Sequence, residues 1–482
     1  MTDCRFIRMQ DRQELEEIHE ATVEVLETIG VDFKSDAALE VFKSGGALLD
    51  GDRVRIPRTL LETSIDTAPD SFMFHGRNPE KSIRIGKGQD RTHVEPSNGC
   101  IHAQSLDKGR WIAGIRDLVD FFKLAHASDV CDINGGIPVA PADIDGDSAS
   151  LRIFYETLKH TDKPLRSNIG THKEISTMFR MLEIAKGESG WLRDHAAVYL
   201  SINPLSPLAY DALPLEAAMT YAAHGQPVTV LSCALAGISA PMSLKGMSVM
   251  QNAEILSGLV LTQLVRPGAP FIYAPAGAVP DMRTGRYVTG SPESNLANIA
   301  NIQLAREVYG LPTRTMAGLT DAKTVDAQSG METMQNLFQC MMGGASIINE
   351  CLGVMDAIMT NSYEKLILDE EMISRVLAFM VGFDGANQDT AVAAIREVGP
   401  GGTFLYHPDT VQNCRHTWRP RVSDWDSHDK WEEKGRPDLV RAAADRYRHI
   451  LATAPDTTLD KAAEKELAAF INATHPRLDL GI

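Results

Sequence analysis

Eight short apolar runs, each followed by small residues and then by a helix-like stretch, constrain this chain more than any other feature. They are His93–Pro96, Asp132–Val139, Leu165–Gly170, Ala197–Asn203, Val228–Ala234, Phe271–Ala276, Thr313–Gly318 and Ser346–Cys351. After the first gap they recur every ~30–45 residues, the spacing of βα units. Helical candidates lie between them: Lys173–Lys186, Leu215–His224, Met247–Val265, Leu296–Val308 and Ala327–Met342. Near-continuous apolar strands alternating with helices make a parallel sheet covered on both faces. Eight such units close most economically into a (β/α)8 TIM barrel. An open doubly wound sheet is the competing arrangement, because the first unit shows a hairpin-like Ile101–Ile115 and no clear helix.

The flanks differ from this pattern. In residues 1–90, Leu15, Ile18, Ala21, Val25 and Ile29 fall at helical spacing, so Arg12–Gly30 reads as an amphipathic helix closed by Gly30. A second helix is expected over Asp36–Lys43, then a strand and a helix around Val54–Ile65. This part is expected to be an N-terminal helical cap, with the barrel over 91–385 and a C-terminal extension over 386–482. A long helix, Tyr363–Phe383, follows the eighth strand. Gly399–Trp431 is too polar for core and too long for a turn, and is expected to be a functional loop or lid. Helices Arg436–Ala454 and Leu459–Ala473 should pack on the barrel or on a second subunit.

A chain of 482 residues, 44% hydrophobic and 23% charged, can bury a sizeable core without staples. The net charge of −17 argues against nucleic acid or an anionic membrane as partner. No apolar run has signal-peptide or membrane-spanning character, so a cytoplasmic location is expected. The seven cysteines are scattered without a CxxC pair, which suggests neither a disulfide framework nor zinc. His407 and His416 are not spaced as a metal pair, and no metal is expected. A phosphate-binding GxxxxGK[ST] loop, a dinucleotide GxGxxG and a GxSxG elbow are all missing.

In a barrel, chemistry sits where the strands end. The first run ends in His93-Val-Glu95-Pro-Ser97-Asn98-Gly99, and the third in Arg166-Ser-Asn168. The fourth offers Tyr199 and Asn203. The sixth offers Tyr273 and a loop with Asp281, Arg283, Arg286 and Tyr287. The seventh carries Arg314 and then Thr320-Asp321-Ala-Lys323, and the eighth ends in Asn349-Glu350. Arg314 and Glu350 stand out, because a charge on a barrel strand must be paired or functional. No residue is assigned a catalytic role. Lys323 could form a Schiff base, or simply be a solvated lysine. Trp418 and Trp425 could face a cation or pack in the core.

Several stretches resemble the trimethylamine methyltransferase family: Ala317–Gln328 with Gly330-Met-Glu332, Gly343–Gly353, Tyr363–Glu371, Phe404–Thr410 and the opening Leu15–Val31. The resemblance runs in order along nearly the whole chain. It implies a (β/α)8 fold and a cytoplasmic methyltransferase acting on a cobalt corrinoid (cobalamin) that a separate protein presents, with no cofactor tightly bound here and no corrinoid-binding DxHxxG. A homo-oligomer is expected.

Members specific for trimethylamine carry pyrrolysine near Thr320, Asp321 and Lys323, where this chain has standard residues. It therefore resembles the branch that demethylates quaternary amines such as glycine betaine, with proline betaine, carnitine and γ-butyrobetaine as alternatives. A quaternary ammonium leaves as a neutral amine and needs no special electrophile. On this reading Glu350 and Tyr273 suit the ammonium, and Arg314 the carboxylate, with Arg283 and Arg286 in reserve. Glu95, Asn203 and Asn349 complete the expected site. Glu350 stands where several betaine-type relatives have histidine, which leaves the particular amine open. A lysine-dependent lyase using Lys323 and a non-catalytic betaine binder are the competing functions.

Overall fold

The computed structural model describes residues 6–144, 149–382, 388–476 and 478. All eight expected runs contain strands: β1 (His93–Val94), β2 (Asn134–Gly135), β3 (Leu165–Arg166), β4 (Val198–Ile202), β5 (Val228–Ser232), β6 (Phe271–Pro275), β7 (Arg314–Met316) and β8 (Ile347–Asn349). Strands β4, β5 and β6 are buried at every position.

Parallel pairing runs through β2-β3-β4-β5-β6 and through β7-β8-β1. Two joints close the ring. Tyr273 of β6 bridges in parallel to Thr313, and its N–H donates to the Pro312 carbonyl at 2.9 Å. On the other side the Val94 carbonyl accepts from the N–H groups of Asp132 and Ile133 at 2.8 and 3.1 Å. The strands follow chain order around a closed sheet, so the architecture is a (β/α)8 barrel and not an open doubly wound sheet.

The helices are α1 (Ile115–Ala127), α2 (Ala149–His160), α3 (His172–Lys186), α4 (Ala212–Ala223), α5 (Leu244–Val265), α6 (Pro292–Leu304), α7 (Ala327–Met342) and α8 (Tyr363–Val381). The first unit does contain a helix, contrary to expectation. A hairpin, His102–Ser105 with Gly109–Ile112, is inserted ahead of α1 and displaces it along the chain. Leu118, Phe121, Phe122 and Ala125 still mark its buried face. A second hairpin, Val354–Met355 with Thr360–Ser362, follows β8, and its second strand pairs in parallel with His102–Gln104. The two insertions thus form one four-stranded sheet between the first and last units.

The N-terminal segment is mixed rather than purely helical. Helix Arg12–Glu24 starts at an Asp11/Glu14 capping box and continues as a π turn to Ile29. At Gly30, φ is +81° and a Cβ would stand 2.6 Å from the Val54 carbonyl oxygen, so glycine is required. The next strand, Val31–Phe33, pairs with Arg53–Arg55 and also with Ala209–Tyr210 from the loop after β4. Hairpin Ser71–Phe74/Ile83–Gly86 places Phe74 and Ile85 against Ile133, Tyr199, Ile272 and Ile347, closing the N-terminal end of the barrel.

The C-terminal helices Leu439–Thr453 and Lys461–Thr474 pack on this barrel, against α8 and α3 respectively. Part of the segment expected to be a functional loop or lid is fixed to α8. Trp418 donates to Ser374 at 3.1 Å and the Arg421 and Val422 N–H groups donate to Glu371, so Trp418–Val422 runs along that helix. The expected domain boundary at 385/386 and the Phe383 end of the long helix lie outside the described residues. No helix among the described residues is long and apolar enough to cross a membrane.

Candidate functional site

The inner face of the barrel changes character along its axis. Above the apolar floor, strand alternation points Glu95, Arg166, Tyr199 and Arg314 inward, and all four are buried. Glu95 is the hub. It accepts from Arg314 Nε at 2.9 Å and from Arg166 Nη1 at 3.1 Å, and takes further hydrogen bonds from Arg314 Nη2 and the Tyr199 hydroxyl. Burial drags the Arg314 guanidinium down, but the Glu95 carboxylate outweighs it and holds it above its ordinary value. Burial likewise raises the Tyr199 phenol, so Tyr199 stays a neutral donor.

Glu350 stands above this hub and is built differently. It follows β8 with φ +53°, a left-handed conformation that costs a non-glycine residue about 1–2 kcal/mol. In an extended strand Glu350 would face away from Asn349. The left-handed turn instead puts both on the mouth, where Asn349 Nδ2 donates to Glu350 Oε1 at 3.1 Å. The Asn98 N–H donates to Oε2 at 2.8 Å. Burial pushes the Glu350 carboxyl up to about 6, against the pull of Arg166, 4.0 Å away. Glu350 therefore remains ionised at neutral pH with only partial compensation.

The roof comes from the loops after β6, β7 and β8. Tyr287 is half-buried and packs on the apolar core cluster that includes Leu231, Ala274, Met316 and Leu319. Burial raises its hydroxyl well above the usual phenol range, with Cys233, Glu350 and Asp321 adding to the effect. Asp321 accepts from the Thr289 and Gly290 N–H groups, both at 2.9 Å, which ties the β6 loop to the β7 loop. Thr320 donates to Glu332 at 2.6 Å. Asp356 gathers Arg286 at 2.6 Å and Arg110 and Lys323 at 3.6 Å, linking four loops across the rim.

The structure thus brings together Glu95, Arg314, Asn349 and Glu350 of the expected residues. Asn203 lies at the end of β4, donating to the Leu231 carbonyl at 3.1 Å. Tyr273 and Arg283 are placed elsewhere. Tyr273 alternates outward, and its hydroxyl donates to Asn252 of α5 at 2.9 Å, in a cluster that includes Thr22 of the N-terminal helix. Arg283 is exposed at a loop tip, paired with Asp281 at 2.9 Å. Lys323 is exposed beside Asp356, without the desolvation of a Schiff-base lysine. Arg166, Tyr199, Asn98 and Tyr287, which the sequence places at strand ends without a particular binding role, join the site. The signal for Arg166 is there: it is a charged residue on a barrel strand, like Arg314.

The chain is similar to several known proteins. Residues 2–477 match the trimethylamine methyltransferase (MTTB) family. A glycine betaine methyltransferase of Desulfitobacterium hafniense (strain Y51) is 36% identical over 459 residues, covering 95% of each chain. A proline betaine:corrinoid methyltransferase of Eubacterium limosum is 32% identical over 405 residues, 82% of each chain. Among solved structures, a monomethylamine methyltransferase of Methanosarcina barkeri overlays with a TM-score of 0.49 at 11% identity, covering 95% of this chain and 92% of that one.

Proposed function

The chain belongs to the trimethylamine methyltransferase family, and from that premise we propose that it transfers a methyl group from a quaternary amine of the glycine betaine type to the Co(I) corrinoid of a separate protein. The observation that supports a quaternary amine most directly is Glu350, a partly compensated carboxylate at the mouth whose charge reaches the Tyr287 hydroxyl. A methylated ammonium cannot donate N–H hydrogen bonds, so a buried negative charge and an aromatic face are what recognise it. Proline betaine is the nearest alternative, supported by the 32% identical relative.

The chemistry asked of this chain is positioning. A methyl carbon departs from nitrogen while the bond pair stays on the amine, so the quaternary ammonium becomes a neutral tertiary amine and no proton moves. The corrinoid, when presented, supplies the cobalt nucleophile for that in-line displacement. Glu350 and Tyr287 hold the ammonium, and the closed floor keeps one methyl directed out of the mouth. Arg314 and Tyr199 hold Glu95 and give the pocket a rigid polar base. No thiol of the mouth is set to take the methyl itself. Burial pushes Cys233 up to about 12 and raises Cys100 and Cys351 well above the usual thiol range.

Assembly with a second copy and a cytoplasmic location belong to the same reading. Exposed Val392, Ile395, Phe404, Leu405 and Tyr406 near the C-terminal end support the first. The test is purified protein with Co(I) cobalamin and glycine betaine. Loss of the Co(I) absorption together with formation of dimethylglycine is expected. No change with any betaine overturns the proposal.

A further inference from the structure

We propose that Arg166 receives the carboxylate of the substrate, and that the Arg166–Glu350 pair selects betaines whose ammonium and carboxylate are one carbon apart. This rests on the reading that the mouth binds a quaternary amine.

The two strand arginines are not equivalent. Arg314 is fully buried and commits Nε and Nη2 to Glu95. Arg166 commits only Nη1, at 3.1 Å. Among the described residues its Nε and Nη2 make no hydrogen bond, and neither is a sealed, unpartnered atom. They are unspent donors that keep some access to solvent. Arg166 Nη1 and Glu350 Oε1 stand 4.0 Å apart, too far for a hydrogen bond. Cation and anion thus face each other across a gap that neither closes.

The guanidinium is held in this position by its surroundings. Gly136 has φ +70°, and a Cβ there would stand 3.1 Å from Arg166 Cδ and 2.8 Å from Asn98 Oδ1. Glycine at this position leaves the lane for the arginine stem. From the opposite side, Asn98 and Asn349 fix Glu350. The loop arginines are occupied elsewhere, Arg283 by Asp281 and Arg286 by Asp356.

A zwitterion with closely spaced charges completes such a pair. In a glycine-derived betaine the nitrogen and the carboxylate carbon are two bonds apart, about 2.5 Å. Its carboxylate can accept a fork from Arg166 while its methylated nitrogen stays against Glu350. Each added methylene widens the span by about 1.3 Å and pulls one end off its partner.

The test is calorimetric titration of the full chain, wild type, Arg166→Lys and Arg166→Gln, with glycine betaine, β-alanine betaine, γ-butyrobetaine and tetramethylammonium. Wild type should bind the three betaines in that falling order. Arg166→Gln should lose about 10-fold or more in glycine betaine affinity, the worth of a charge-assisted fork. Arg166→Lys should lose less. Tetramethylammonium should bind Arg166→Gln more tightly than wild type, because a positive charge beside Glu350 is gone. A merely structural role would weaken both ligands together. That result, or glycine betaine affinity unchanged in Arg166→Gln, overturns the proposal. If instead wild type moves no methyl to Co(I) while the titrations behave as stated, the proposed reaction fails and the carboxylate assignment stands.

Discussion

Replacing Glu350 by glutamine should stabilise the fold while removing cation binding. Burial lifts the Glu350 carboxyl from the usual 4.5 to about 6. At about 1.4 kcal/mol per unit, keeping it ionised in the folded protein costs about 2 kcal/mol. A raised carboxyl means that the folded state holds the proton more tightly than the unfolded state. Stability is therefore lost as pH rises through 4.5 to 6 and stays lost above that window. Glutamine keeps an oxygen for the Asn98 N–H and tolerates the same backbone as poorly as glutamate, so the left-handed strain does not change. Once the Asn349 amide turns over, the new side-chain amide donates to Asn349 Oδ1, a buried acceptor without a partner among the described residues. Urea denaturation should show Glu350→Gln more stable than wild type by about 1–2 kcal/mol at pH 8, with the difference shrinking towards pH 5. In the same protein, tetramethylammonium affinity should fall by about 100-fold, from losing roughly 3 kcal/mol of attraction in a half-shielded site. A variant less stable than wild type at pH 8, or a stability gain independent of pH, would refute the view that Glu350 is held ionised at a cost.

Other perturbations probe the surroundings. Wild-type affinity for tetramethylammonium should fall as pH drops below about 6, the value of the Glu350 carboxyl, when followed by calorimetry across pH 5–8. Tyr287→Leu should weaken quaternary ammonium binding by about 1 kcal/mol, several-fold in Kd, with little change in melting temperature. Asp356→Asn should cost under about 1 kcal/mol of stability, because its partners Arg110, Arg286 and Lys323 are largely exposed, yet it should speed proteolysis in the 281–287 loop by unfastening the rim. Lys365→Met should destabilise by roughly 3–5 kcal/mol in denaturant, because it strands buried Asp369, whose carboxyl burial already raises; the double change Lys365→Met/Asp369→Leu should recover much of that loss.

The barrel is legible in the amino-acid sequence because its information is local. Eight apolar runs at βα spacing follow from the need to bury a strand on both faces, and such a pattern can be read within a few dozen residues. The same holds for the charged strand positions Arg314 and Glu350, since a charge in a buried strand declares itself by residue type alone. The first helix is hidden where an inserted hairpin interrupts the local rhythm. The 399–431 segment reads as a functional loop or lid, and the anchoring of Trp418–Val422 on α8 is not legible there, because polarity says that a segment is exposed, not which element it packs on.

Tyr273 shows the same limit on a smaller scale. A strand residue has two possible faces one step apart, and only barrel closure sends Tyr273 to the helix layer and Arg314 to the axis. Glu350 is the reverse case: alternation alone would not place it beside Asn349, and the left-handed turn after β8 does so. The partners of Glu95 lie 71, 104 and 219 positions away in the chain. Sequence by itself determined the fold class, the family and the presence of charges at the strand ends. Tertiary structure decided which of those charges cancel, in the Glu95 hub, and which stay open, on Glu350 and Arg166. Pairing of buried charges depends on distances between segments far apart in sequence, and only the closed ring sets those distances.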